Sequence, residues 1–227
     1  MSTLLRLKNW LKVRLDSEGR VYTALRYLYA KSVFPLERRM WIKSKGAGFE
    51  AKESLHMCSL LPKRTIDRVI EIYSPTSWLD VGCGTGAALK YINRLGLDGW
   101  GVEYSALAIK ESGISQRIMR ADLTQALHLK RRFGIVWCYE VAEHLPDNAA
   151  DVLIDTLCRH SDIIILSAAV PGQGGEGHIN EQPKEYWIGK MAARGYMVDQ
   201  KATSEIQALK ELFSGNLVCY RLARPDA

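Results

Sequence analysis

A chain of 227 residues, 47% hydrophobic and 25% charged, has ample core for one α/β domain and an extension, and its composition excludes a disordered or disulfide-framework protein. No stretch approaches the ~18 consecutive apolar residues of a membrane-spanning helix, so an integral membrane protein is not expected. The net charge of +6 is unevenly placed: residues 1–45 hold eleven Lys and Arg against three acidic residues, a net of +8, whereas residues 46–227 hold twenty against twenty-two, a net of −2. The basic excess belongs to the first segment and says nothing about a site in the remainder.

Leu4, Leu7, Leu11 and Leu15 recur at helical spacing beside Trp10, with Arg6, Lys8, Lys12 and Arg14 on the other surface, which predicts a basic amphipathic helix. A second helical segment is expected over 20–33 and a third, opened by Pro35, over 35–42. This helical extension, 1–45, either caps the domain or a second copy in a homo-oligomer, or attaches to an anionic membrane surface; nucleic-acid binding is the least favoured reading. Gly46-Ala47-Gly48 breaks the chain before the main domain, 46–227. The five cysteines, Cys58, Cys83, Cys138, Cys158 and Cys219, are odd in number and form no C-x-x-C pair, and basic residues near the start are interleaved with leucines rather than placed before an apolar block. A reduced, cytoplasmic setting is expected, with the basic helix as the point of any contact with the inner face of a membrane.

Helices are predicted over 50–60 and 62–73, then a regular alternation begins. Strands are expected at 77–81, 99–103, 117–120, 134–139, 162–167, 195–199 and 216–223. Helical segments are expected at 87–95, 106–112, 123–129, 148–158, 183–194 and 204–213. This rhythm means βαβ units and a Rossmann-like α/β fold, a seven-stranded, mostly parallel sheet flanked by helices. Ligands of such sheets lie beyond the carboxyl ends of the strands.

The first strand runs into Asp80-Val81-Gly82-Cys83-Gly84-Thr85-Gly86. Glycines permit positive φ and let a ligand approach the main chain, and a strand, a glycine loop and a helix N-terminus together make a nucleotide cradle. Gly82, Gly84 and Ala87 also satisfy the dinucleotide spacing G-x-G-x-x-G/A, which keeps an NAD(P)-binding oxidoreductase open. The acidic Asp80 two places before the first glycine suits a cationic ligand better than a pyrophosphate. Glu103 closes the second strand, twenty-one residues after Gly82, where a carboxylate can accept hydrogen bonds from ribose hydroxyls.

The run DVGCGTG and the segment Glu140-Val141-Ala142-Glu143-His144-Leu145 after the fourth strand resemble the motifs of the class I S-adenosylmethionine-dependent methyltransferases. Pro171 to Pro183, PGQGGEGHINEQP, resembles a loop in a subset of small bacterial and phage-type members. The resemblance implies that the last strand enters antiparallel. It also implies S-adenosyl-L-methionine as cofactor, held by Asp80, Gly82, Cys83, Gly84, Gly86, Glu103, Tyr104, Asp122, Leu123, Glu140 and Val141. Asp122 would face the adenine amino group with Leu123 lining the ring, although Asp122 is equally suited to cap a following helix.

For the acceptor, His178 or His144 is the expected general base, and Glu143, Glu181 and Tyr186 are expected around the substrate. Each has a bland alternative: Glu143 braces its loop, the histidines bond structurally, and Tyr186 packs in the core. The histidines with Glu143 or Glu181 could hold a divalent metal, but no H-x-x-x-H or paired-carboxylate spacing supports it and none is expected. The fourth strand lacks the Asn/Asp-Pro-Pro-aromatic set of amino-directed nucleic-acid enzymes and a Pro-Cys nucleophile, so the expected reaction is O-methylation of a small-molecule or glycan or lipid-linked hydroxyl. The alternative is a methyltransferase-fold binding module without turnover.

Overall fold

The structure is a computed structural model and describes residues 61–223. The readings of the basic extension, of the break at 46–48 and of a helix over 50–60 lie outside the described residues. The elements are α1 (Lys63–Tyr73), β1 (Ser77–Val81), α2 (Ala87–Arg94), β2 (Asp98–Glu103), α3 (Ala106–Glu111), β3 (Ile118–Arg120), β4 (Ile135–Tyr139), α4 (Ala150–His160), β5 (Ile163–Ser167), α5 (Lys184–Ala192), β6 (Tyr196–Val198), α6 (Gln200–Gln207) and β7 (Val218–Leu222).

The seven strands form one sheet in the order β3-β2-β1-β4-β5-β7-β6. Pairing is parallel from β3 through β5, and β7 runs antiparallel to both β5 and β6. The order reverses between β1 and β4, so the crevice beyond their carboxyl ends is where a ligand belongs.

Alternate side chains of the strands enter two separate cores. Leu79, Val81, Val136, Cys138, Ile164 and Leu166 pack on one face, with α4 and α5 covering them through Leu153, Leu157, Trp187 and Met191. Trp78, Ile135, Trp137 and Ile165 pack on the other, under α1, α2 and α6 through Ile66, Val69, Leu89, Ile92 and Ile206. Burial on both faces explains why β4 and β5 read as unbroken apolar runs rather than alternating ones.

Two predicted helices differ from the structure. Residues 123–129 form a turn rather than a helix, because the amides a helix would use internally are taken from outside: Leu127 N–H donates to Thr156 Oγ1 at 3.4 Å and Leu129 N–H to His160 Nε2 at 3.0 Å. His160 Nδ1 lies 2.6 Å from the Thr156 carbonyl, so the ring donates there and accepts from Leu129, which requires the neutral form. Burial accordingly lowers its pKa. The helix expected over 204–213 begins earlier, at Gln200, because Asp199 is its N-cap, accepting from Ala202 N–H at 3.1 Å. It ends before Lys210 and Phe213, both of which take left-handed φ.

Asp199 also accepts from Tyr73 at 3.0 Å and from Arg221 Nε at 2.6 Å, joining α1, α6 and β7. Asp199→Ala is expected to cost about 1–2 kcal/mol in urea unfolding at pH 7, and Asp199→Asn distinctly less because the cap survives. Arg221, the Ala202 amide and Tyr73 hold the carboxyl below its usual value, so the part Asn lacks should vanish as pH falls below about 4.

Candidate active site

The site forms where β1, β2, β4 and β5 end. Gly82, Gly84 and Gly86 all take left-handed φ, at 79°, 54° and 69°. A Cβ at Gly82 would lie 2.5 Å from Val141 Cγ2, so the loop after β4 presses directly on the glycine loop, and glycine is required there by contact as well as by φ. Cys83 turns the other way: a Cβ at Gly101 in β2 would meet its sulfur at 2.6 Å. Its side chain packs beneath the loop in the core.

Glu103 holds the cradle in shape. Its Oε2 accepts from Gly84 N–H and its Oε1 from Ser105 N–H, each at 2.8 Å, joining the loops after β1 and β2. Ser105 in turn caps α3 by accepting from Ala108 N–H at 3.1 Å, a role that its place at the start of a helical run could have disclosed. Asp80, opposite Gly101 on the neighbouring strand, is only 4% exposed. Burial, and then the charge of Glu103, push its carboxyl up to about 8. Tyr104 is exposed at the lip, its carbonyl accepting from Arg120 Nε at 3.1 Å.

Asp122 is exposed and closes a local turn, with Oδ1 accepting from Thr124 N–H at 2.9 Å and Thr124 Oγ1 at 2.8 Å. Leu123 is buried among the core residues. Asp122 therefore realises the capping chemistry, although it caps a turn and not the expected helix.

Glu140 has φ 54°, an uncommon conformation for a residue with a side chain. Its carboxylate is directed to the β5 and β7 side, where Ser167 Oγ donates to Oε1 at 2.7 Å and Gln173 Nε2 to Oε2 at 3.0 Å, with Asn216 Nδ2 3.3 Å from Oε1. These bonds brace the loop after β5 against the end of β4. Gln173 and Asn216 carried no sequence signal, since Asn216 comes from a short turn before β7 and meets Glu140 across 76 positions.

Glu143 and His144 follow in a single 3-10 turn, Ala142–His144. The main-chain carbonyl of Glu143 accepts from Ile179 at 2.8 Å and Asn180 at 3.0 Å, fixing the histidine-bearing loop against it. The Glu143 side chain is fully buried, with no side-chain donor or cation on either carboxylate oxygen among the described residues; only the backbone amides of Glu143 and Ala169 face it. Burial, and then the charge of Glu140, raise its pKa well above the carboxylate range. The His144 ring stands edge-on to that of His178, with centroids 4.9 Å apart. Burial, and then the neighbouring His178, push His144 down to about 4.

His178 Nδ1 lies 3.0 Å from Glu181 Oε1, and Glu181 also accepts from the amides of Gly172 at 2.7 Å and Gly174 at 2.6 Å. Glu181 is thus spent on shaping the loop and orienting His178. Tyr186 is outside this group: its hydroxyl donates to Asp147 Oδ1 at 2.6 Å and its ring packs on Trp187. The structure therefore brings Glu143, His144 and His178 together, one ligand atom from each within 4.8 Å of the others, which the spacing of the sequence did not indicate.

The strand order with its single antiparallel strand, the glycine loop and the acidic strand ends define a Rossmann-like protein of the methyltransferase class. A model of the methyltransferase domain matches residues 52–200, more than half of the chain, and the chain belongs to that family. It is 26% identical over 149 residues to a ubiquinone biosynthesis O-methyltransferase of Leptothrix cholodnii, covering 61% of this chain and 59% of that one. It is 30% identical over 83 residues to a probable chloroplastic tocopherol O-methyltransferase of Oryza sativa subsp. japonica, covering 32% of this chain and 23% of that one. The chain thus spans less than two thirds of the length of these relatives. Its fold is similar to that of the magnesium protoporphyrin IX methyltransferase of Synechocystis PCC 6803, solved with S-adenosylhomocysteine bound: TM-score 0.51, 18% identity, 78% of this chain and 90% of that one.

Asp80 yields a pH-dependent expectation. Its folded value, about 8, exceeds the unfolded value near 4, so the stability it permits is complete below about pH 4 and lost as pH rises towards 8. Asp80→Asn mimics the protonated acid. Thermal melts of the ligand-free protein should coincide with wild type near pH 4 and exceed it by roughly 5 °C or more at pH 9.

Proposed function

We propose that the chain binds S-adenosylmethionine in the β1–β2 cradle and methylates a hydroxyl of a small molecule. The observation that carries the cofactor reading is the pair of carboxylates at the glycine loop. Glu103 already occupies the Gly84 amide that a pyrophosphate would need, and Asp80 is buried beside it with no cation among the described residues to offset either charge. A dinucleotide would bring two further negative charges to that place, whereas a ligand with ammonium and sulfonium groups would supply what is missing. The residues present therefore fit S-adenosylmethionine. When bound, it supplies a methyl group activated on a positively charged sulfur.

Within this reading, Glu103 accepts from the ribose hydroxyls with the lone pairs its two amide bonds leave over, and Asp80 balances the cofactor's positive charge. Val141 packs against Gly82 and fixes how close the loop after β4 lies to the cradle. The acceptor enters between that loop and the one bearing His178. Transfer to a hydroxyl is supported by the names of both curated relatives, which are O-methyltransferases, and by the gathering of Glu143, His144 and His178 beside the cradle.

Titration calorimetry with S-adenosylhomocysteine should give one-site binding. Glu103→Ala should weaken it by about 10–100-fold, from the loss of charge-assisted hydrogen bonds of roughly 1.5–3 kcal/mol. Binding of NADH with no response to S-adenosylhomocysteine would reverse the assignment. Cofactor binding without methyl transfer to any hydroxyl compound in a labelled-methyl screen would favour the binding-module alternative.

A further inference from the structure

We propose that Glu143, His144 and His178 bind one divalent first-row transition cation beside the cradle. Only the cation's role, not its binding, rests on the methyltransferase reading. The three side chains come from two loops, one after β4 and one after β5, and each offers a ligand atom within 4.8 Å of the other two. Atoms sharing an ion with bonds of ~2.0–2.2 Å lie roughly 3–3.5 Å apart. The cluster must contract by about 1–2 Å, which is within the reach of side-chain rotation.

Three independent features favour a cation over a merely packed cluster. The first is Glu143, whose carboxylate is fully buried with no cation and no side-chain donor on either oxygen among the described residues. Buried carboxylates are ordinarily paired, hydrogen-bonded or bound to metal. The second is the support of His178. Its Nδ1 faces Glu181 Oε1 at 3.0 Å, and Glu181 is itself fixed by the Gly172 and Gly174 amides. A carboxylate on one ring nitrogen orients the other, Nε2, as a ligand.

The third feature is Gly175. A Cβ there would lie 2.3 Å from His178 Nε2 and 2.6 Å from both Cδ2 and Cε1. Near-equal distances to an atom and its two ring neighbours mean that the face of the ring, not its edge, lies over Gly175. The in-plane lone pair of Nε2 therefore points elsewhere, and the absent side chain leaves room for the ring.

The donor set selects the kind of ion. Two imidazoles and one carboxylate suit manganese through zinc better than magnesium or calcium, which prefer oxygen shells. Three protein ligands leave coordination positions open, as catalytic sites require. Glu140 does not compete, since Ser167, Gln173 and Asn216 engage its carboxylate. At the acceptor side of a methyltransferase, such a cation would hold the acceptor's hydroxyl oxygen and make its proton easier to lose to solvent. The oxygen then forms the bond to the methyl carbon as the carbon–sulfur bond breaks, leaving a neutral thioether.

The test uses the full chain, stripped with EDTA and titrated with Co2+ followed by visible absorption and with Zn2+ followed by calorimetry. One equivalent should bind, with ligand-field bands of nitrogen and oxygen ligation and a rise in melting temperature. Glu143→Gln and His178→Ala should each weaken binding at least 30-fold, and Glu181→Ala about 10-fold through loss of ring orientation. Retained binding of S-adenosylhomocysteine certifies that each variant is folded. No saturable binding by the wild type, or equal binding by folded variants, overturns the proposal. Cobalt binding without S-adenosylhomocysteine binding would leave the metal site standing and remove the methyltransferase reading; the opposite pattern would do the reverse.

Discussion

A sheet covered by helices on both faces leaves polar chemistry one place, the edge where its parallel strands end. In this chain Trp78, Ile135, Trp137 and Ile165 fill one face while Leu79, Val136, Ile164 and Leu166 fill the other. A charged side chain within those strands would have to be buried without water. The carboxylates follow this rule closely: Glu103 closes β2, Glu140 follows β4, and Asp80, the one acid inside a central strand, sits next to the last residue of β1. The site is a consequence of where the sheet permits charge.

Five carboxylates of that edge, besides the exposed Asp122, are divided by their partners. Glu103 is held by two amides, Glu181 by two amides and an imidazole, and Glu140 by a hydroxyl and two carboxamides. These three are occupied in building the walls. Asp80 and Glu143 are different, since each is buried, each is pushed upward by burial and by a neighbouring acid, and no cation among the described residues answers either. Natural folds retain such local conflicts where a ligand resolves them. Asp80 in the cradle and Glu143 beside the two histidines are where the two proposed positively charged ligands would act.

The sequence made the frame legible because its signals are local. A positive φ demands glycine, a strand covered on both faces demands an apolar run, and both leave their mark at fixed positions. Hence the strands, the loop at Gly82 to Gly86 and Glu103 at the end of β2 could be read directly. Where sequence and structure diverge, the deciding contact comes from elsewhere in the chain. Thr156 and His160 divert the amides of Leu127 and Leu129 from across about 30 positions, and Gly101 makes the space into which Cys83 turns. Glu140 is visible through its position in the motif, while Asn216, which meets its carboxylate from 76 positions away, is not. Asp199, expected at the end of the strand over 195–199, instead caps α6.

The cluster of Glu143, His144 and His178 lacks a spacing signal for the same reason. Spacing rules detect ligands that share a helix or a turn, and here His178 arrives 34 residues after His144 on a different loop. That loop is nevertheless fixed where it matters. The main-chain carbonyl of Glu143 accepts from Ile179 and Asn180, Glu181 gathers Gly172 and Gly174, and Gln173 binds Glu140, so the segment is tied near its start and near its end. Three ties on a glycine-rich segment convert a flexible connection into a wall, and a histidine on a wall is held in orientation before any ligand arrives. The same glycines that would make the loop mobile in isolation supply the amides and the open face at Gly175 that make it rigid here. Discrimination among acceptors should therefore reside in the shape of this wall and not in its closure.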